Sequence, residues 1–158
     1  MISFAIPGQD ELCIKHLVMD VNGTLAEDGE LIPGVADKLL ILREQLSIHL
    51  LTANTYGTIE KIEQLLNLKA VKLDRQSGDE AGQKTRYILK LNTEFCAAIG
   101  QGANDAGMLK TAALGISVMS TEGLMIDALM ASKLLMPDIL SALDLFIKPG
   151  RLIASMRK

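Results

Sequence analysis

Five short apolar runs, at residues 17–19, 48–51, 70–73, 95–99 and 115–118, recur through this chain with a helix-periodic segment between each pair. Runs this short, apolar on both faces, suit central strands of a parallel sheet, because crossover helices cover both of its sides. The intervening segments, at 33–45, 58–66, 80–91 and 106–112, carry apolar residues at helical spacing. Helices are also expected at 124–130 and from about Asp138 and Arg151, with a last short strand at Leu134 and Leu135. An opening pair of strands, 2–6 and 12–15, turns at Pro7-Gly8-Gln9-Asp10. The pattern predicts an α/β chain with a Rossmann-like, doubly wound, mainly parallel sheet. No repeat, low-complexity tract or linker interrupts it, so residues 1–158 are expected to form one domain.

In an open parallel sheet ligands gather beyond the carboxyl ends of the strands. Three of the runs end directly in polar residues: Asp20 with Asn22 and Thr24, Thr52 with Asn54, and Gln101 with Asn104 and Asp105. If the sheet is parallel, all three clusters share one edge. A carboxylate at a strand end, followed by glycine and a hydroxyl, suits nucleophilic attack on phosphorus. Gly23 would allow close backbone approach, and backbone N–H groups with Thr24 would hold the phosphate oxygens. Taken alone, Asn22-Gly23 reads better as a hairpin turn. Thr52 reads equally as a turn cap, and the loop from Gln101 to Asp105 as a glycine-rich turn capping the next helix. Read functionally, that loop is an oxygen-rich metal site facing Asp20, and Asp20 with Asp105 supplies the one or two carboxylates that magnesium takes.

A phosphoryl site also needs a cation to offset nucleophile and phosphate. Positions 84, 87, 88 and 91 share a helix face, and Tyr87, Ile88 and Leu91 make it the inward one. Lys84 lies one turn N-terminal of that apolar stripe and is the basic residue favoured for the site, a surface lysine near the helix end being an equal alternative; Arg86 and Lys90 point elsewhere. His16 and His49 adjoin apolar strands and read as structural.

Hydrophobic residues make up 49% of the chain and charged residues 22%, with a formal net charge of −3, which disfavours disorder and gives no signal of a nucleic-acid binder. Aromatics are only 3%, so the core must be aliphatic. Within it, the Met-rich segment 123–136 is expected to be ordinary core before a subunit contact. Cys13 and Cys96 make no metal-finger spacing, the first residues have no leader pattern, and no apolar run approaches a membrane span. A reduced, cytoplasmic protein is the expectation.

Together these residues resemble the haloacid dehalogenase superfamily of phosphatases and phosphotransferases, and most closely its soluble P-type-ATPase-like group. Asp20-Val21-Asn22-Gly23-Thr24 resembles the first family motif, Leu50-Leu51-Thr52-Ala53-Asn54 the second and Lys84 the third. Ile99-Gly100-Gln101-Gly102-Ala103-Asn104-Asp105-Ala106 resembles the last, and Leu109 to Ile116 continues the pump pattern. The likeness runs from about Leu12 to Arg157, and the ordered set is far more specific than any one motif.

The resemblance implies a Mg²⁺-dependent phosphatase or phosphotransferase with Asp20 as nucleophile. Asn22, Thr52 and Lys84 would complete the catalytic set. Gly23, Thr24, Thr52, Ala53, Lys84 and Asn104 would bind phosphate, and Asp20, Asn22, Gln101 and Asp105 would hold the metal. Two positions depart from the superfamily pattern: Asn22 stands where phosphatases carry an acid–base aspartate, and Gln101 where they carry a metal-binding one. Losing general acid–base help costs on the order of 10²–10⁴-fold in rate, so a slow enzyme is implied. A phosphate-sensing regulatory module is the alternative, with a metal-independent 2-haloacid dehalogenase behind it. Only residues 26–48 separate the first two motifs, which implies no cap domain and no nucleotide-binding insertion. An open site is implied, suited to a phosphorylated substrate that includes macromolecules, or to a lid from a second copy in a homo-oligomer.

Overall fold

The computed structural model describes residues 1–54 and 56–158. Its centre is a six-stranded, wholly parallel sheet in the order β10-β9-β8-β3-β6-β7. The strands are β3 (His16–Asp20), β6 (Ser47–Thr52), β7 (Ala70–Lys72), β8 (Cys96–Gly100), β9 (Leu114–Val118) and β10 (Leu134–Met136). Two antiparallel hairpins flank it, β1 (Ile2–Phe4) with β2 (Leu12–Ile14), and β4 (Ala26–Glu27) with β5 (Glu30–Leu31). The doubly wound parallel sheet expected from the alternating runs is the observed one.

Strand alternation divides the core. Leu17, Met19, Leu50, Ile99 and Ile116 pack under α1 (Val35–Leu42), α2 (Ile59–Leu66) and α6 (Ile139–Ile147), and the final helix α7 (Pro149–Met156) adds Leu152. Val18, Leu51, Cys96 and Ala98 face the other way, under α3 (Glu80–Lys90), α4 (Ala106–Thr111) and α5 (Ile126–Ala131). Because side chains alternate along a strand, His16, Val18 and Asp20 point to the α3 side. The nucleophile candidate thus meets the helix that carries Lys84.

Two features differ from the sequence reading. Asn22-Gly23 is not the hairpin turn; the turn is Asp28-Gly29, joining β4 to β5 with φ of 50° and 81°. Positive φ at both central residues is what a two-residue hairpin loop needs, and Asp-Gly supplies it. The Met-rich segment 123–136 is not ordinary core. Ala128 is the buried member of α5, while Met125, Ile126, Met130 and Leu135 are exposed, because α5 is short and β10 is the sheet's outermost strand. Between β3 and β6 the chain adds the β4–β5 hairpin and α1, with no inserted cap domain.

Candidate active site

The register brings the expected clusters together. Asp20 pairs alongside Leu51, so β3 and β6 end side by side at Asp20 and Thr52. On the other side of β3, β8 ends at Gly100 and feeds the loop that carries Gln101, Asn104 and Asp105. A Cβ on Gly100 would sit 2.5 Å from Asp105 Cγ, so glycine lets the loop fold back over its own strand end.

Lys84 closes the constellation. Its Nζ donates to Asp20 Oδ1 and to Asp105 Oδ1, both at 2.6 Å, with the lysine side chain 1% exposed. Asp105 Oδ2 accepts the N–H groups of Gln101 at 3.0 Å and Gly102 at 2.9 Å. Both Asp105 oxygens are therefore engaged beneath the loop. Burial opposes the charge on Lys84, but the two carboxylates more than offset it and raise its pKa. Asp20 fares differently. Burial raises its pKa first, the Asp105 charge raises it further, and Lys84 holds it back, leaving it at about 7. One cation shared by two carboxylates satisfies the cation and leaves the anions one charge in excess.

The neighbouring residues are oriented just as locally. Thr52 Oγ1 accepts from Asn54 N–H at 2.9 Å and from Asn22 Nδ2 at 3.3 Å, which leaves its own proton free to donate. Asn54 has φ of 51° and its Oδ1 accepts from Ile59 N–H at the start of α2. Gly23 N–H donates to Ala26 O at 2.8 Å and Thr24 N–H to Val21 O at 3.3 Å. These two backbone donors, expected to hold phosphate, are spent inside the loop. The Thr24 hydroxyl is buried without a hydrogen-bond partner and lends only slight help to the Asp20 carboxylate.

Asp20, Asn22, Ala53, Lys84, Gln101 and Asn104 open onto a cleft of about 210 Å³. Three further residues line it that the sequence reading missed: Tyr56, Glu80 and Glu122. Tyr56 OH donates to Glu122 Oε1 at 3.1 Å, joining the loops that follow β6 and β9 at the rim, and Asn104 Nδ2 donates to Glu80 Oε2 at 3.1 Å. Asp20 is only 6% exposed, so the site is narrower than the short connections imply. The strand-end rule locates the Glu122 loop after β9; nothing in their own patterning marks Tyr56 or Glu80. Among the described residues no three His, Cys, Asp or Glu side chains converge as a metal site. The cleft's donors suited to a hard cation include the oxygens of Asp20, Asn22 and Gln101, with the Glu80 and Glu122 carboxylates in the same lining.

A wider trough of about 990 Å³ lies elsewhere, bordered by Gln9, Leu12, Phe95, Lys133 and Lys158. Its charged side chains are all exposed, so it lacks the buried, mutually perturbed groups that mark chemistry.

No family model matches the chain. Uncharacterized protein MJ0073 of Methanocaldococcus jannaschii is 37% identical over 92 residues, which cover 55% of this chain and 99% of that protein. The 3-deoxy-D-manno-octulosonate 8-phosphate phosphatase of Moraxella catarrhalis, solved with magnesium, phosphate and KDO, superposes with a TM-score of 0.66 at 19% identity, covering 91% of this chain and 94% of that one. A zinc-transporting PIB-type ATPase in the E2.Pi state superposes with a TM-score of 0.62 at 26% identity over 79% of this chain, which spans only 20% of the pump.

Proposed function

We propose that this chain, which belongs to the family of MJ0073 and has the haloacid dehalogenase fold, is a magnesium-dependent phosphomonoester hydrolase that forms an aspartyl phosphate on Asp20. The observation that carries the reading is the buried Lys84 ammonium, shared at 2.6 Å by Asp20 at the end of β3 and Asp105 on the loop after β8.

Lys84 engages Asp20 Oδ1, leaving Oδ2 to attack phosphorus. The bond from Asp20 Oδ2 to phosphorus forms as the ester P–O bond breaks, and the leaving alkoxide takes its proton from solvent, because the Asn22 amide is too weak an acid to supply one. Water then attacks the phosphorus, the Asp20–phosphorus bond breaks, and inorganic phosphate leaves with the carboxylate restored. The Thr52 and Thr24 hydroxyls and Lys84 hold the phosphate oxygens, and Asn104 lines the cleft beside them. Asp105 acts through Lys84 and through the two loop N–H groups that it fixes.

The donor set fits a hard divalent cation: the available ligands are oxygens, and the cleft holds Asp20, Glu80 and Glu122 against one lysine already shared. Magnesium held by Asp20, the Asn22 carbonyl and Gln101 would supply the positive charge that a phosphate dianion needs here. A panel of phosphomonoesters with and without Mg²⁺ is the test. Metal-dependent turnover lost in Asp20→Asn is expected; turnover surviving that change overturns the mechanism.

One observation favours a second reading, a module that takes up phosphate and discharges it poorly. Asn22 is an amide tied to Thr52 at 3.3 Å, where acid–base help is needed. Under that reading the phosphoenzyme accumulates in the native protein.

A further inference from the structure

We infer that the mouth of the cleft selects small phosphomonoesters whose alcohol carries a positive charge, amino-alcohol phosphates above all, and turns away those whose alcohol carries a carboxylate. The inference rests on the hydrolase reading of the same cleft and adds the class of leaving group.

The side chains lining the cleft carry more acid than base. Phosphate is attacked at Asp20, beside the Lys84 ammonium. Glu80, first residue of α3, and Glu122, on the loop after β9, line the same cleft. Each is fixed through one oxygen by a neutral donor, Glu80 by the Asn104 amide and Glu122 by the Tyr56 hydroxyl, both at 3.1 Å. Neutral donors orient a carboxylate without cancelling its charge, and the second oxygen of each acid keeps its lone pairs for a ligand. Lys84 is the basic side chain in the lining, and it is committed to Asp20 and Asp105. An incoming carboxylate would meet two like charges and no basic side chain beyond the committed lysine. An ammonium would meet two fixed acceptors.

Size narrows the choice. At about 210 Å³ the cleft is smaller than the roughly 300–1,000 Å³ of sites for drug-sized ligands. It accommodates a phosphate with a few further heavy atoms. A protonated amine within two or three bonds of the ester oxygen fits that space; the side chain of a peptide lysine beside a phosphoserine offers the same charge on a bulkier frame.

Three esters matched in size give the test: ethanolamine phosphate, ethyl phosphate and phosphoglycolate. With Mg²⁺ present, kcat/KM should fall in that order, with at least about a tenfold gap between the first and last at low salt. The gap should narrow as salt screens the half-exposed mouth. The double variant Glu80→Gln/Glu122→Gln should reduce the gap to within about threefold. A flat or reversed order, or a gap that survives the double variant, overturns the inference. A lysine-flanked phosphoserine peptide turned over faster than ethanolamine phosphate overturns the small-molecule assignment.

Calorimetric titration of the same esters into the Asp20→Asn protein with Mg²⁺ keeps the two readings apart. Ordered affinities without turnover in the native protein would sink the hydrolase and uphold the charge rule. Turnover without charge order would do the reverse.

Discussion

Two polar networks, one buried and one half-buried, lie on the α3 side of the same sheet, and they are opposites. At the carboxyl ends of the strands, one lysine is shared by two carboxylates, a threonine hydroxyl has no partner, and Asp20 is pushed up to about 7. Further down the same face, His16 Nδ1 meets His49 Nε2 at 3.1 Å, and His49 Nδ1 meets the Tyr87 hydroxyl at 3.0 Å. Burial, followed by the charge of a basic neighbour, lowers both histidines, His49 to about 4, so this chain of rings is neutral at physiological pH. The neutral network ties β3, β6 and α3 together. The unbalanced one holds charge that only a ligand can compensate, and such imbalance marks a working site.

The largest expected effect breaks the unbalanced network at its nucleophile: Asp20→Asn should cut kcat by at least about a thousandfold in a phosphate-release assay. Removing the shared cation comes next. Lys84→Met strands two buried carboxylates, so denaturant unfolding should show about 3–5 kcal/mol lost near neutral pH and above. That loss should shrink as pH falls, because without Lys84 to hold its pKa down Asp20 takes up a proton more readily.

Asn22→Asp supplies the absent acid–base group, and phosphate release should rise at least about tenfold. No gain would locate the slow step elsewhere.

The finest discrimination is in the pH dependence of stability, where the two networks have opposite slopes. The folded-state pKa of Asp20 is raised, so its ionisation destabilises the fold as pH climbs from the ordinary carboxylate range through about 7. Asp20→Asn should therefore raise the melting temperature at alkaline pH and lose that advantage in acid. The pKa of His49 is lowered from 6.5 to about 4, so its contribution is full above 6.5 and is lost as pH falls toward 4. His49→Gln should flatten that acid limb, read from urea midpoints across the range.

Much of the site was legible because of where apolar runs stop. Asp20, Thr52 and the loop from Gln101 to Asp105 each follow such a run, and a parallel sheet puts those stops on one edge. Lys84 was legible through Ile88, one turn on and buried on the same helix face. The β4–β5 hairpin carried a signal, Asp28-Gly29, that the Asn22-Gly23 pair drew attention away from. Residues 123–136 misled because hydrophobicity marks what can be buried, and the short α5 beside an edge strand leaves most of it uncovered. Tyr56, Glu80 and Glu122 were not legible as a group, since they come from three separate elements and meet only in the fold.

The amino-acid sequence by itself determined the alternation of strands and helices, the parallel sheet, the polar strand ends and the amide at Asn22. Those are local facts, written in periodicity and in residue type. Only the tertiary structure decided that one ammonium serves two carboxylates, that His16 and His49 are hydrogen-bonded, and that two glutamates face the mouth of the cleft. The energy of a charge depends on its distance to other charges and on how much water it keeps. Both are set by the strand order β8-β3-β6 and the placement of α3, which join residues far apart along the chain.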